Sequence, residues 1–294
     1  MAFHSGFAAI VGRPNVGKST LVNKLVGQKV AITSDKPQTT RHKIHAVVTR
    51  PDSQIVFVDT PGIHKPHHLL GESIVKTATD ALAEVDLRVL LVDCQEMAGR
   101  GDQFIAELLK GSSKPTILAL NKADRVKQIP ERIFQSYKEL YDFDAVVPLS
   151  ARTGRNIKML MEHIVARLPE GPKYYDEDVP TDQTLRTLAG ELIREQILRQ
   201  TSEEIPHAVA VQIEQFDESR KPVFISANIF VERDSQKGIV IGDGGSRLKA
   251  VGQAAREQIE KQVGEKVYLE LWVKVLKNWR KDRADLKRLG YVVD

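Results

Sequence analysis

The first half of the chain alternates short apolar runs with longer amphipathic stretches. Near-continuous apolar runs of four or five residues are typical of parallel strands that are buried on both faces. The runs are Phe7–Val11, Ile55–Val58, Val89–Val92, Thr116–Leu120 and Ala145–Leu149. Helices are predicted near 19–26, 72–84, 102–110, 131–140 and 156–167. This order predicts an α/β domain with a mostly parallel sheet, in which ligands bind beyond the carboxyl ends of the strands.

A break in this pattern follows at 168–172, where two prolines and a glycine fall within five residues. Prolines end the preceding helix, and the combination suits a linker. We therefore predict a first domain over residues 1–170, an acidic linker over 171–182 and a second domain over 183–294.

The second domain has a different pattern. The predicted elements are a helix at 185–197, alternating strands at 209–213 and 225–231, a glycine-punctuated region at 238–245, a helix near 246–262, an alternating strand at 267–275 and a basic helix near 280–289. The order α-β-β-α-α-β plus one helix predicts a smaller α/β unit.

Composition excludes several classes of protein, and charge suggests a partner. The 294 residues are 41% hydrophobic and 28% charged, which excludes a disordered or fibrous chain. One cysteine excludes an internal disulfide, and no apolar run suits a signal peptide or a membrane span, so we expect a soluble, intracellular protein. Residues 171–219 have a net charge of −7 and residues 220–294 a net charge of +6. The basic end favours a polyanionic partner, although a solvated face would look the same.

The segment after the first apolar run carries a phosphate-binding motif. Residues 12–19 read GRPNVGKS, which matches G-x-x-x-x-G-K-[ST] between a predicted strand and a predicted helix. In this motif backbone N–H groups cradle phosphate oxygens, Lys18 bridges the β- and γ-phosphates and the Ser19 hydroxyl binds Mg²⁺. The predicted nucleotide-binding residues here are Gly12, Asn15, Val16, Gly17, Lys18, Ser19 and Thr20.

A second motif follows the next predicted strand. Residues 59–62 read DTPG, so that Asp59 can hold Mg²⁺ and the Gly62 N–H can reach the γ-phosphate. The position after this glycine holds Ile63, where signalling GTPases have a glutamine that orients water. We therefore expect hydrolysis to need another group or to be slow in the isolated protein.

A third motif indicates which base is bound. Residues 121–124 read NKAD, and the Asp124 carboxylate can accept hydrogen bonds from the N1–H and the 2-amino group of guanine, a donor pair that adenine lacks. Asn121 can contact the other edge of the base or tie neighbouring loops together. The stem of Lys122 can lie against the ring, and residues Ser150 and Ala151 can supply a backbone N–H to the guanine carbonyl. The residues therefore predict GTP and GDP as ligands.

In their order these motifs resemble a GTPase domain of the translation-factor type. The resemblance includes a switch segment, QTTR at 38–41, in which related proteins close a threonine on Mg²⁺ and the γ-phosphate. The role is carried to Thr40, with Thr39 as the competitor. The resulting expectations are Lys18, Thr40 and Gly62 as catalytic residues and Ser19, Thr40 and Asp59 as magnesium ligands.

The second domain contains a glycine loop, Gly242-x-x-Gly245. Alone it is most often a simple turn, but its place after α-β-β-α is similar to a type II KH domain, whose G-x-x-G loop clamps about four nucleotides. The run Ile239–Ile241 is expected to form the floor of the groove under the bases. The predicted RNA-binding residues are Gly238, Ile241, Gly242, Gly244, Gly245, Arg247 and Lys249.

Over its whole length the chain resembles the bacterial Era family. The resemblance includes KPQTTRH at 36–42, DTPGIHKP at 59–66, EIPH at 204–207, LWVKV at 271–275 and NWR at 278–280. It implies binding near the 3′ end of 16S ribosomal RNA, a role in maturing the 30S subunit, and a cytoplasmic location with loose association with the inner membrane. The basic stretch 271–290 suits RNA, anionic lipid or a solvated face equally. We expect a monomer.

Some alternatives stay open on the residues. In related GTPases an asparagine at the position of Asn15 ligates potassium beside the phosphates, whereas the simpler role is to stabilise the loop turn. A metabolic enzyme that transfers phosphate to a small molecule is disfavoured by the guanine motif. An RNA-binding scaffold without nucleotide chemistry is disfavoured by the intact Lys18, Ser19 and Asp59.

Overall fold

The computed structural model describes residues 2–36, 39–63, 69–202 and 205–291. Two compact units are found in it. The first comprises the described residues of 1–31, 40–66 and 74–182, and the second comprises those of 32–39, 67–73 and 183–294.

A six-stranded sheet organises the first unit. From residue 2 to residue 182 the chain forms β1 His4–Val11, α1 Lys18–Val26, β2 Ile44–Thr49, β3 Ser53–Asp59, α2 Leu69–Glu84, β4 Leu87–Asp93, α3 Arg100–Lys110, β5 Thr116–Asn121, α4 Glu131–Lys138, β6 Ala145–Pro148 and α5 Ile157–Val165. The strand order is β2-β3-β1-β4-β5-β6, and all neighbours are parallel except β2 and β3. The predicted α/β fold with a mostly parallel sheet is confirmed.

The sheet is buried on both faces, which explains its continuous apolar strands. In β1, Ala8 and Ile10 pack into the core on one face, and Ala9 and Val11 pack into the core on the other. The sequence pattern does not predict the edge strand β2, because polar residues interrupt its short apolar pattern.

The segment 171–182, which the sequence predicts to be a linker, lies with the first unit. The side-chain carbonyl of Gln54 accepts from the N–H groups of Tyr174 and Tyr175 at 2.6 and 3.0 Å. Further along, His45 Nδ1 lies 2.8 Å from a carboxylate oxygen of Asp182. These contacts come from strands β2 and β3, so the chain leaves the first unit twelve residues later than the composition suggests.

The second unit is built on a three-stranded sheet. Its elements are α6 Leu185–Gln200, α7 Ile205–Ala208, β7 Ala210–Asp217, β8 Val223–Val231, α8 Asp234–Ile241, α9 Ser246–Val263, β9 Val267–Val275 and α10 Arg283–Arg288. The order is β7-β8-β9, with β7 antiparallel and β9 parallel to β8. Helices α6 and α9 pack on the inner sheet face. The predicted α-β-β-α-α-β order is confirmed, with the one-turn α7 added. None of the helices among the described residues is long and apolar enough to cross a membrane.

Candidate functional site

The loop between β1 and α1 surrounds a buried lysine. Lys18 Nζ donates to the carbonyl oxygens of Gly12 and Arg13 at 3.1 and 2.9 Å. Gly17 has a φ of 104°, and a Cβ there would lie 2.5 Å from the Asn121 side-chain nitrogen. Burial lowers the pKa of Lys18 to about 8, with Asp59 acting in the opposite direction. A desolvated ammonium group at the start of a helix favours a phosphate ligand, as the motif predicts.

Three oxygen donors converge beside this lysine. Ser19 Oγ lies 2.9 Å from Thr40 Oγ1 and donates to Asp59 Oδ2 at 3.0 Å, and Thr40 Oγ1 lies 3.3 Å from the same carboxylate oxygen. Asp59 is fully buried, and its Oδ1 has no hydrogen-bond partner. Burial raises the pKa of Asp59 to about 6, against the effect of Lys18. A hard cation with oxygen ligands fits this carboxylate and these hydroxyls, so the residues present suit Mg²⁺.

The hydroxyl groups of Thr39 and Thr40, the two candidates for the magnesium ligand, have different surroundings. The Thr39 hydroxyl donates to the carbonyl of Lys36 at 2.7 Å, away from the Ser19–Asp59 pair. Thr40 is buried beside that pair. This placement favours Thr40 as the magnesium ligand, while Gln38 of the same segment lies outside the described residues.

The next segment shows why Ile63 cannot position water. Its side chain is buried among the apolar residues between the sheet and helices α2 to α4. Gly62 precedes it at a close approach, since a Cβ there would lie 3.1 Å from three atoms of Pro14. The three residues of the HKP sequence that follows, 64–66, lie outside the described part of the chain.

Asn121 ties two loops together. Its Nδ2 donates to the carbonyl of Val16 at 2.7 Å, and its Oδ1 accepts from the N–H of Ala151 at 2.9 Å. Of the two roles that the sequence allows, the structure supports the tie between loops. The Ala151 N–H, which the sequence assigns to the guanine carbonyl, is engaged by Asn121, and the Ser150 N–H donates to the Arg155 carbonyl at 3.1 Å. In this structure both N–H groups therefore have partners within the protein, and the contact with the guanine carbonyl stays a prediction.

Asp124 is held as an ionised acceptor. Ser150 Oγ donates to its Oδ1 and Arg152 Nη2 to its Oδ2, each at 2.6 Å. These bonds, that of Ser150 first, lower the pKa of Asp124. Lys122 Nζ lies 2.7 Å from a carboxylate oxygen of Asp93, which fixes the end of the lysine stem. The role of Arg152 was missed, because a single arginine after a strand carries no specific signal.

The sequence also gives no signal for the hydrogen bonds that hold Arg13 of the phosphate loop. Arg13 Nε donates to Asp102 Oδ1 at 3.1 Å, and Arg13 Nη2 donates to Glu96 at 2.5 Å. Asp102 is fully buried at the start of α3 and also accepts from the Gly99 N–H at 2.9 Å. In the sequence, Asp102 has the ordinary features of a residue in the first turn of a helix.

The glycine loop of the second unit lies between α8 and α9. Gly242 has a φ of 73°, and a Cβ there would lie 2.8 Å from Cβ of Arg247, so the turn requires glycine. Gly244 and Gly245 also have positive φ, with open space where a Cβ would be. The backbone between residues 242 and 245 is therefore open to a ligand, as the motif predicts.

Beside this loop, α9 and β9 line a groove. Its lining residues are Gly245, Leu248, Lys249, Gly252, Gln253, Arg256, Tyr268, Leu269 and Leu271. The leucines supply an apolar floor, and Lys249 and Arg256 supply positive charge. At Gly252, in the middle of α9, an added Cβ would lie 3.4 Å from Cδ1 of Leu271, an ordinary van der Waals distance, so α9 packs closely on the apolar floor there.

The predicted floor at Ile239–Ile241 is only partly open in the structure. These residues form the last turn of α8, where Val240 is buried in the core and Ile241 packs against it. Gly238 lies inside α8, and Gly238 and Ile239 line a separate depression with Gly242 and Arg247. Arg247 Nη1 donates to the Ile239 carbonyl, so this guanidinium closes the end of α8. Lys249 is the exposed cation of the predicted pair.

The fold and the site define a P-loop GTPase domain followed by a type II KH domain. Two family models match accordingly: a 50S ribosome-binding GTPase over residues 7–122 and a KH domain over residues 204–280. The chain is 38% identical to Era in a crystal structure with MgGDPNP and nucleotides 1506–1542 of 16S ribosomal RNA, with 99% of this chain and 100% of that chain covered and a TM-score of 0.95. It is also 38% identical to a single-residue variant of Aquifex aeolicus Era bound to GDP and AlF4⁻, with the same coverage and a TM-score of 0.93. The chain belongs to the Era family of GTPases.

Proposed function

We propose that this GTPase binds small-subunit ribosomal RNA near its 3′ end and assists maturation of the 30S subunit. The observation that carries the proposal is the presence, in one chain, of a guanine-nucleotide site and a glycine loop beside an apolar groove with basic residues. The crystal structure of the relative with a segment of 16S ribosomal RNA supports the choice of partner.

On the nucleotide side, each residue has a role that its position supports. Bound Mg²⁺ would neutralise charge on the phosphate oxygens. Lys18 adds a positive charge at the phosphates, Asp124 selects the base, and Thr40 and Gly62 face the γ-phosphate. With Ile63 buried, the water must be positioned by another group, so we propose slow hydrolysis in the isolated protein.

In RNA binding, the glycine loop and the groove have different roles. The open backbone at residues 242–245 admits the phosphates closely, and the start of α9 adds a favourable potential. Lys249 is positioned for phosphate contact, whereas Arg247 is already bound to the Ile239 carbonyl. The apolar floor of Leu269 and Leu271 suits unstacked bases rather than a duplex.

We propose further that the nucleotide state controls RNA affinity. Thr40 belongs to the first unit, but the preceding residues 32–39 belong to the second. There the buried Glu195 accepts from the Thr33 N–H at 2.8 Å, and the buried Arg194 donates to the Thr39 carbonyl. Because Thr39 and Thr40 are consecutive, a change in Thr40 on γ-phosphate release would pull on a segment that α6 holds.

We expect the affinity for an RNA from the 3′ end of the small-subunit ribosomal RNA to differ at least about fivefold between the GTP-analogue and GDP forms. By linkage, this RNA must shift the preference for GTP over GDP by the same factor. Glu195→Ala should reduce the difference, and Glu195→Gln, which keeps an oxygen acceptor for Thr33, should retain more of it. Fluorescence anisotropy with a shuffled RNA as control measures this. Equal affinity for both RNAs would contradict the choice of partner, and equal affinity in all nucleotide states would contradict the coupling.

Potassium is a second proposed cofactor, at Asn15. This residue is exposed in the phosphate loop with a φ of 64°, a conformation that asparagine tolerates well. That conformation suits either role that the sequence allows, stabilising the turn or presenting its oxygen to a cation. Among the described residues we assign no arginine as a finger for the phosphates, and a monovalent cation at Asn15 would supply such a charge.

We expect GTP hydrolysis at fixed ionic strength to be faster in KCl than in NaCl, because the smaller ion fits the same ligands poorly. Asn15→Ala should abolish the difference, while nucleotide affinity measured without hydrolysis reports whether the loop is intact. Rates in CsCl provide a size control. Equal rates in KCl and NaCl, or stimulation that survives Asn15→Ala, would assign Asn15 to the turn alone.

A cytoplasmic location, a monomeric state and loose association with the inner membrane belong to the same proposal. The basic stretch 271–290 supports a polyanionic neighbour, but part of its charge is used within the fold. Arg280 Nη2 donates to Glu232 at 2.5 Å, and the Arg288 guanidinium lies 5.4 Å from the centre of the Phe230 ring. Fewer of these charges are therefore available to a polyanionic neighbour than the sequence alone suggests.

A further inference from the structure

Two large aromatic side chains are exposed on strand β9. Tyr268 is 54% exposed and Trp272 is 59% exposed. They are four residues apart, so they share one face of the strand, and Val267 and Val273 at the alternate positions are buried on the face that carries the helices. Exposed aromatic rings next to a nucleic-acid groove are the usual platforms on which bases stack.

Tyr268 is held in an ordered stack. Its ring lies 5.9 Å from the ring of Phe224, its partner on β8, with an angle of 14° between the planes. The Arg220 guanidinium lies over the Phe224 ring, 4.6 Å from its centre. Three planar groups are thus arranged in series. Phe224 lies beside one face of the Tyr268 ring. Because the ring is exposed, its other face can receive a further planar group.

The position of Tyr268 relates this stack to the groove. Tyr268 is one of the lining residues of the groove, whereas Trp272 is not. Helix α9 runs away from the glycine loop, and after the turn at Gly264 strand β9 begins at the far end. Tyr268, the second residue of β9, therefore lies at the end of the groove remote from Gly245, and Arg256 lines the same groove.

We propose that Tyr268 is a base-stacking platform that receives a nucleotide where single-stranded RNA leaves the groove. The inference rests on the proposed RNA-binding function and extends it beyond the nucleotides held at the glycine loop. The base would continue the series Arg220–Phe224–Tyr268 as its fourth planar member. Arg256 would face the neighbouring phosphate. Stacking on an ordered ring costs little conformational entropy, because Phe224 already restrains the tyrosine.

Tyr268→Ala is expected to weaken RNA binding about five- to hundredfold, the usual range for one stacked base. Tyr268→Phe, which keeps the ring, should bind as the unchanged protein does, and Tyr268→Leu, which keeps apolar bulk without a ring, should lose affinity as alanine does. Trp272→Ala is the matched control on the same strand and the same face, and its affinity should stay within about twofold. Circular dichroism melting of each variant checks the fold.

The stacked base is located with abasic RNA. An oligonucleotide from the 3′ end of the small-subunit ribosomal RNA is made with one base removed at each position in turn. At one position near one end of the footprint, removal should weaken binding to the unchanged protein and leave Tyr268→Ala unaffected, because both changes remove the same stack.

The outcomes distinguish a failure of the proposed RNA-binding function from a failure of the stacking role of Tyr268. If the unchanged protein binds no RNA, the proposed function fails. If it binds RNA and Tyr268→Ala binds equally well, or if the effects of Tyr268→Ala and base removal add at every position, the stacking role is wrong. A loss in Trp272→Ala as large as that in Tyr268→Ala would mean that the RNA follows β9 beyond the groove and would also overturn the proposal.

Discussion

Asp124→Asn is expected to bind GTP about a hundredfold to ten-thousandfold more weakly than the unchanged protein. The substitution removes the acceptor for two donors of guanine, and a hydrogen bond to a charged group contributes about 1.5–3 kcal/mol. The amide can still accept from Ser150, but its nitrogen faces a donor of the base. Xanthosine triphosphate has an oxygen in place of the 2-amino group, so the variant should bind it better than it binds GTP.

Competition of a fluorescent nucleotide by GTP, GDP, ATP and xanthosine triphosphate measures this change of specificity. Ser150→Ala is the control, because it keeps the carboxylate and removes only one of its hydrogen bonds. It should weaken GTP binding less and leave the preference for guanine intact. An Asp124→Asn protein with unchanged GTP affinity would show that the base lies elsewhere.

Gly242→Asp and Gly245→Asp are each expected to weaken RNA binding by more than about a hundredfold and to spare nucleotide binding. A carboxylate at either glycine faces the phosphate backbone, and juxtaposed like charges cost several kcal/mol. Gly245→Asp is the cleaner test, since nothing lies within 4 Å of the added Cβ, whereas at Gly242 the added Cβ also meets Arg247.

Gly245→Asn is the matched control for backbone effects. Asparagine and aspartate tolerate the positive φ of this position about equally, and only aspartate adds charge. The asparagine variant should therefore keep most of the affinity that the aspartate variant loses. Neutralising Lys249 should in addition flatten the salt dependence of RNA binding. Unchanged RNA affinity in Gly245→Asp would overturn the assignment of the glycine loop to RNA binding.

The sequence brings the motifs of the predicted nucleotide site together because each of them ends a buried strand. Strand ends of a parallel sheet meet at one edge, so the order of the motifs along the chain already places Lys18, Asp59 and Asn121 near one another. The order of the motifs does not show which groups compete for the same hydrogen-bond partner. The Ala151 N–H binds Asn121, and Thr39 turns to Lys36, and both results depend on loop geometry.

The RNA groove is predicted less completely, for a physical reason. The apolar run Ile239–Ile241 lies beside the glycine loop in sequence, but Val240 and Ile241 pack into the core while Ile239 is exposed beside the loop. The observed floor comes from α9 and β9, whose apolar positions serve both the core and the groove. Periodicity identifies which residues share a face and does not show which part of that face stays open.

The domain boundary shows the same limit. Composition places a linker at 171–182, because prolines and acidic residues are typical of exposed connections. The structure instead attaches this segment to the first unit. Thr181 pairs with Ala46 on β2, and the Gln54 side chain binds Tyr174 and Tyr175. Such contacts depend on β2, the edge strand that the apolar pattern does not reveal.

The most direct test of the proposed function is a map of RNA contacts obtained by ultraviolet crosslinking in cells. The chain is crosslinked, purified under denaturing conditions, and the attached RNA is sequenced, with Gly245→Asp as the control. We expect one dominant peak near the 3′ end of the small-subunit ribosomal RNA, which disappears in the control. Crosslinks spread evenly over cellular RNA, or a dominant peak on another RNA that persists in Gly245→Asp, would contradict it.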